Sequence, residues 1–283
     1  MLPPLRALLS FSVLAVVLAG CESSSNVDLE SRNFNVQQTS VPPGEAIAST
    51  EQITSLVRRS GPTYVTLIVS QPASPDTQSK ENRKGTPVTS GSGFVVDGSG
   101  YVMTAAHVAK RIGNTVSAKA ANGRVYSGDV VALKPDNDMA VIKLRGFSGK
   151  AVTPDDSQCL VKGNIVYSLG RPHAQGDTAR LGEFQSPSFG QPVHYAGDDA
   201  KFGYPDAMVL RLSTQKGESG GPLFDEKGDL VGMVVSTLYD NSGQPLNLAH
   251  AVPSRTLAGF LCTEVQCSPD WKTLAAGGAS HCS

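Results

Sequence analysis

The sequence predicts an all-β protein, a barrel or a sandwich, and three observations lead to this prediction. Short strand-like runs recur at regular spacing, turn signals separate them, and glycine (29 residues) and proline (18 residues) are plentiful. With 283 residues, the chain is long enough to bury the core of one large β domain. A formal net charge of −1 and a charged fraction of 17% exclude the electrostatic footprint of a nucleic-acid-binding protein.

The N-terminus has the pattern of an export signal. Arg6 precedes a mostly apolar run over residues 8–19, which is too short for a comfortable membrane span. The run ends in the string LAGC, which resembles the lipobox of bacterial lipoproteins and implies a lipid on Cys21. Such a lipid would anchor the protein in the cell envelope, facing the periplasm. Glu22 after the cysteine weakly favours the outer membrane.

The rest of the chain divides by composition. We expect a signal peptide over 1–20, a polar tether over 21–55, a folded domain over 56–265 and a tail over 266–283. A polar, proline-containing segment at 71–90 predicts an exposed loop, and 145–159 is a softer crossover between two halves. The strand candidates are 64–69, 94–96, 101–104, 116–118, 124–126, 129–133, 139–144, 164–169, 180–185, 207–212, 230–235 and 248–251, with a helix at 254–262.

The strongest chemical signal is the string GESGGPL at residues 217–223, with Ser219 at its centre. A serine hydroxyl becomes a good nucleophile only when a base takes its proton and donors stabilise the oxyanion. Glycines beside Ser219 allow a sharp turn that exposes its hydroxyl. The backbone N–H groups of Gly217 and Ser219 then converge as an oxyanion hole.

The base and its orienting carboxylate are predicted from their surroundings. His107 lies in the string TAAHV directly after a strand, where small alanines let the backbone pack closely behind the imidazole. The other four histidines have no comparable context. Asp138 starts the buried strand candidate MAVIKL and is preferred as the carboxylate. Asp136, two residues earlier, is the alternative, although its place after Pro135 is typical of a turn.

Three strings in the order His, Asp, Ser resemble the chymotrypsin-like superfamily, and most closely its HtrA-type bacterial proteases. They are GSGFVVDGSGYVMTAAHVA, DNDMAVIKL and KGESGGPLFDEKGDLVGMVV. The resemblance covers roughly residues 60–260. It implies two six-stranded antiparallel barrels, at about 60–146 and 160–253, with the triad in the cleft between them. It also implies a serine endopeptidase for protein or peptide substrates of the envelope, without a cofactor or metal.

The sequence departs from this family at Glu218, where HtrA-type members usually have asparagine and trypsins have aspartate. A charge beside the oxyanion loop could disturb its order. The alternative function is therefore an inactive protease-fold lipoprotein that serves as a binding or scaffold module. The chain also has little room after the barrels for the PDZ domain common in HtrA proteins.

Four cysteines besides Cys21 predict two disulfides in an exported chain. The resemblance to trypsin-like proteins implies the pairs Cys159–Cys262 and Cys267–Cys282. It also implies that residues 213–216 and 235–238 form the walls of the specificity pocket, with His250 as a further lining residue. A small apolar side chain is the substrate preference expected there, and glutamate is the alternative, because some glutamate-specific relatives use a histidine in this region.

Overall fold

The structure is a computed structural model and describes residues 23–29, 32–39, 47–72, 85–155, 159–240 and 242–277. The predicted signal peptide, Cys21 and Cys282 lie outside these residues. Among the described residues, no helix combines the length and the apolar character needed to cross a bilayer.

Two β-barrels make up the body of the protein. The strands are β1 Ser23–Leu29, β2 Arg32–Gln38, β3 Tyr64–Gln71, β4 Thr86–Val95, β5 Tyr101–Thr104, β6 Thr115–Lys119, β7 Val125–Lys134, β8 Met139–Leu144, β9 Ile165–Gly170, β10 Asp177–Ser186, β11 Val193–His194, β12 Gly203–Tyr204, β13 Met208–Arg211, β14 Pro222–Asp225, β15 Leu230–Tyr239 and β16 Pro245–Pro253. The α-helices are α1 Thr50–Ser60, α2 Ala106–Ala109, α3 Ser254–Glu264 and α4 Pro269–Ala276.

The first barrel is closed by antiparallel pairs in the order β3-β4-β5-β8-β7-β6. Strand β4 starts at Thr86, so the loop predicted for residues 71–90 is wrong at its end, and residues 73–84 lie outside the described part. Thr86 and Val88 favour extended backbone, and residues 86–94 pair with β3, with a shift of register between Pro87 and Thr89. The strand candidates at 124–126 and 129–133 are one strand, β7, with a bulge opposite β8.

The second barrel follows the order β10-β13-β16-β15-β14-β9 and is closed by pairing of β9 with β10. All these pairs are antiparallel. The predicted class, two six-stranded antiparallel barrels, is confirmed. A separate apolar cluster that includes Phe184, Leu210 and Leu223 fills this barrel.

The tether predicted for residues 21–55 is wrong over β1, β2 and α1. Strand β2 adds to the second barrel in parallel to β10, and β1 pairs with β2. Phe34 and Val36 alternate with more exposed neighbours and are fully buried, at 0% exposure. This period of two is the signal of a half-buried strand, hidden by the surrounding polar residues. Ser49 caps α1 with Gln52 in a capping box.

The C-terminal segment also packs on the barrels. Helix α3 confirms the predicted helix, and α4 lies inside the predicted tail, where Trp271 is buried and donates a hydrogen bond to the Val96 carbonyl (3.1 Å). The predicted cysteine pairing is wrong, because Cys262 bonds Cys267. Helix α3 ends two residues after Cys262, and the turn towards α4 brings the two Cα atoms to 5.1 Å. Cys159 is also disulfide-bonded.

Candidate active site

His107 and Asp138 form a two-point contact in the first barrel. His107 lies on the single turn of α2, directly after β5, with Ala105 and Ala106 fully buried behind it. Its Nδ1 lies 2.8 Å from Asp138 Oδ2, and its backbone N–H donates to Asp138 Oδ1 (2.9 Å). Because an ionised carboxylate can only accept, Nδ1 carries the hydrogen and Nε2 is left as the basic nitrogen.

Asp138 has the conformation that this contact requires. It follows the 3-10 turn at residues 135–137 and has a left-handed φ of 49°, which aspartate tolerates better than most residues. Its side chain is completely buried, whereas Asp136 is exposed on the turn. The structure thus brings Asp138 to His107 and leaves Asp136 in solvent.

Tyr195, a residue that the sequence analysis did not single out, supplies a further hydrogen bond to the Asp138 carboxylate. Its single hydroxyl hydrogen is shared between Asp138 Oδ2 (2.8 Å) and the Val235 carbonyl (3.0 Å), and its ring lies 4.8 Å from the His107 ring. Burial, followed by the charge of Asp138, raises the pKa of Tyr195 well above its usual value, so the hydroxyl remains a donor. Tyr195 directly follows β11, in the connection between β10 and β13 of the second barrel, and has no motif around it.

Ser219 is hydrogen-bonded to Val235, which also accepts from Tyr195. Its Oγ donates to the Val235 carbonyl over 3.3 Å, the same oxygen that accepts from Tyr195. Within the described part of the chain, no hydrogen bond joins Ser219 directly to His107. The carbonyl of Val235 and the hydroxyl of Tyr195 instead connect the serine to Asp138.

The peptides around Ser219 are fixed by their carbonyl groups. The Lys216 carbonyl accepts from His173 N (2.8 Å), and the Glu218 carbonyl accepts from Gly221 N (3.0 Å). In a trans peptide the N–H points away from the preceding carbonyl. The N–H of Gly217 and the N–H of Ser219 therefore each point away from the bonded carbonyl of their own peptide, and neither donates to another described residue.

Gly217 and Gly220 make the tight turn possible. Gly217 has a φ of 101°, and a Cβ there would lie 2.5 Å from the Arg171 carbonyl oxygen. Gly220 has a φ of 82°, and its Cβ would lie 2.2 Å from Thr104 Oγ1. Both positions combine a left-handed conformation with a close approach that only glycine permits.

Ser92 of β4 attaches this loop to the first barrel. Its hydroxyl donates to the Gly217 carbonyl (2.9 Å), and its backbone N–H donates to the Ser219 carbonyl (3.0 Å). The nucleophile loop of one barrel is thereby held against the barrel that carries His107 and Asp138.

Glu218 is buried and paired. Only 2% of its side chain is exposed, and both carboxylate oxygens accept from Arg180 Nε, at 2.7 and 2.8 Å. The sequence marks Glu218 as unusual but gives no sign of Arg180, which lies 38 residues earlier on β10.

The expected pocket walls meet beside the nucleophile. Thr214 Oγ1 and Thr237 Oγ1 lie 2.7 Å apart, which narrows the space between the two segments. His250 is buried at 4% exposure, and its Nδ1 lies 3.1 Å from the hydroxyls of both Tyr204 and Ser236. Burial lowers the pKa of His250 to about 4.

Two antiparallel barrels, with a buried aspartate–histidine pair on one and a glycine-flanked serine on the other, define the architecture of chymotrypsin-type serine proteases. Residues 91–233, about half of the chain, match the family "Trypsin-like peptidase domain". The chain belongs to this family of serine peptidases.

The similar proteins are of the HtrA type. The chain is 32% identical, over 60% of its length, to a Brucella suis protein described as "Probable periplasmic serine endoprotease DegP-like", and covers 32% of that protein. It is 27% identical, over 62% of its length, to protease Do-like 1 of Arabidopsis chloroplasts, and covers 39% of that protein. The chain thus spans about a third of the length of the curated relatives it matches.

A solved structure shares the fold. The HtrA-type protease AlgW, determined with a tripeptide, superimposes with a TM-score of 0.56 at 21% identity. The match covers 71% of this chain and 60% of AlgW.

Proposed function

We propose that this chain is a serine endopeptidase of the cell envelope with His107, Asp138 and Ser219 as its catalytic triad. The observation that carries the proposal is the two-point contact between His107 and the fully buried Asp138, which leaves Nε2 of His107 as a base. In this scheme, a turn of the Ser219 side chain about χ1 transfers its hydrogen bond from Val235 to His107.

The chemistry then follows from the groups present. His107 Nε2 takes the hydroxyl proton while Ser219 Oγ attacks the peptide carbonyl, and the N–H groups of Gly217 and Ser219 stabilise the oxyanion. Protonated His107 gives its proton to the leaving amine, and a water molecule then hydrolyses the acyl-enzyme. Each oxyanion donor of this kind is worth about 2.7–4 kcal/mol of the barrier.

The alternative, an inactive binding or scaffold lipoprotein, follows if the charge of Glu218 disturbs the order of the oxyanion loop. The pairing of Glu218 with Arg180 compensates this charge and argues against the alternative. The names of the DegP-like relatives and the cystine bonds at Cys262 and Cys159 support an oxidising location outside the cytoplasm, where we propose that Cys21 carries the lipid.

A fluorophosphonate probe tests the activity and the location together. In cells that produce the full chain, we expect the probe to label the protein in the membrane fraction and not to label Ser219→Ala. Cys21→Ser should keep its labelling but lose its association with the membrane. Equal labelling of the parent and of Ser219→Ala, or labelling of neither between about pH 6 and 9, would contradict the proposed activity.

A further inference from the structure

A buried ion pair lies directly behind the nucleophile loop. The side chains of Arg180 and Glu218 are each only 2% exposed, and Nε of Arg180 contacts both carboxylate oxygens. A buried carboxylate without a cation is unfavourable, so removal of Arg180 would drive Glu218 towards water or towards protonation.

Glu218 also fixes the backbone that precedes it. Its Oε2 accepts from the Gln215 backbone N–H (2.5 Å), and its own N–H donates to the Gln215 carbonyl (3.2 Å). Glu218 lies between Gly217 and Ser219, whose N–H groups form the proposed oxyanion hole. A displacement of the Glu218 side chain would therefore turn the two peptides that carry these donors.

Strand β2 supports the pair from the other side. Gln37 lies opposite Arg180 in the parallel pairing of β2 with β10, and its Oε1 accepts from Arg180 Nη1. Two residues further along, just after the end of β2, Thr39 Oγ1 accepts from the Ser213 backbone N–H over 3.2 Å. Residues 37–39 thus contact Arg180 and also the backbone at Ser213, which precedes the nucleophile loop.

We propose that Arg180 is a positioning residue that holds the oxyanion-binding N–H groups of Gly217 and Ser219 in place by pairing with Glu218. This inference rests on the proposed function. Among the described residues, no hydrogen bond or ion pair joins Arg180 to His107 or Ser219, so the proposed role of Arg180 is exerted through the loop.

Steady-state kinetics of Arg180→Gln test this role. Because an oxyanion hole acts on the transition state, we expect kcat to fall by about a hundredfold while KM stays within about threefold. Arg180→Lys should restore part of kcat, and the acid limb of the pH–rate profile should not move, since neither Arg180 nor Glu218 contacts Asp138.

A matched control is available between β2 and β10. Arg32 and Asp177 form another buried pair, with Arg32 Nε 3.4 Å from Asp177 Oδ2, and among the described residues no hydrogen bond joins either side chain directly to residues 213–221. Asp177→Asn should leave kcat within about threefold of the parent.

If Arg180→Gln does not fold, the double variant Arg180→Gln/Glu218→Gln removes both charges together and should still lose at least about tenfold in kcat. A double variant with the kcat of the parent would overturn the proposal.

Hydrogen–deuterium exchange separates this inference from the proposed function. In a Ser219→Ala background, Arg180→Gln should speed exchange over residues 213–221, and Asp177→Asn should not. If the parent is not labelled by the fluorophosphonate but exchange responds in this way, the proposed function fails and the loop-positioning role holds. If the parent is labelled and Arg180→Gln changes neither exchange nor kcat, the positioning role fails and the proposed function holds.

Discussion

A carboxylate with no exposed surface needs donors for both of its oxygens, and Asp138 receives them from the first barrel and from the connection that follows β11. His107 supplies its backbone N–H and its Nδ1–H, and Tyr195 supplies its hydroxyl. The same hydroxyl also bonds the Val235 carbonyl, which accepts from Ser219. Tyr195 therefore influences how strongly Asp138 favours a protonated His107.

Tyr195→Phe should move the acid limb of the pH–rate profile to higher pH. Without the hydroxyl, the charge on Asp138 is less dispersed and stabilises the imidazolium of His107 more strongly, so the neutral base appears only at higher pH. A hydrogen bond to a charged group is worth about 1.5–3 kcal/mol. We therefore expect the acid limb of the kcat/KM profile to move upwards by roughly half a pH unit or more.

Tyr167→Phe is the matched control for this shift. Tyr167 is fully buried, and its hydroxyl contacts Ser60 Oγ (2.5 Å) and the Leu56 carbonyl (3.3 Å), away from the triad. It should lower stability without displacing the acid limb. If Tyr195→Phe reduces the rate but leaves the limb in place, Tyr195 has only a structural role.

The sequence could predict the residues whose chemistry leaves a local signal. Ser219 and His107 lie in strings whose small residues are required by tight turns and close packing, as at Gly217 and Gly220. Tyr195 and Arg180 act through contacts made only after folding, 57 residues from Asp138 and 38 residues from Glu218. No pattern in their own neighbourhoods indicates these partners.

At the scale of elements, β2 is the segment whose role differs most from the sequence prediction. Its polar residues concealed an alternation in which Phe34 and Val36 face the core. The Phe34 ring also makes an edge contact with Tyr64, with the centroids 6.0 Å apart. Short strands with two apolar residues carry little signal, because their stability depends on the neighbouring strand, here β10.

Phe34→Ala should therefore lower the free energy of unfolding by about 3–5 kcal/mol, the usual cost of deleting a buried phenylalanine ring. Asn33→Ala, one residue earlier on the exposed face of the same strand, should change it by less than about 0.5 kcal/mol. Urea titration of both variants measures this difference. Equal, negligible effects would mean that residues 32–38 behave as a tether in solution.

At the scale of the whole molecule, some of the hydrogen bonds between the two halves of the protein lie in the site itself. Ser92 bonds the nucleophile loop, and Tyr195 bonds Asp138. The two-barrel fold could be predicted because the three strings that contain His107, Asp138 and Ser219, in this order, resemble a family with that fold. The cross-barrel contacts and the cysteine pairing at Cys262 depend on exact turns, and the family resemblance did not supply them.

The pH dependence of stability should report on the second barrel through His250. Burial lowers the pKa of His250 to about 4 from an ordinary 6.5, and the Asp206 carboxylate only partly opposes this shift. Between these values the unfolded chain binds a proton that the folded chain does not, so stability is complete above about pH 6.5 and is lost as the pH falls towards 4.

Comparison with His250→Asn isolates this contribution from those of other titrating groups. The amide oxygen of asparagine can still accept from the hydroxyls of Tyr204 and Ser236, but it does not titrate. Between pH 7 and pH 4.5, the free energy of unfolding of the parent should fall by roughly 2 kcal/mol more than that of the variant, as measured by urea denaturation at each pH. Parallel losses in the two proteins would mean that His250 is protonated as readily in the folded barrel as in the unfolded chain. In that case the hydroxyls of Tyr204 and Ser236 would have to accept from the imidazolium, and burial would not set its charge.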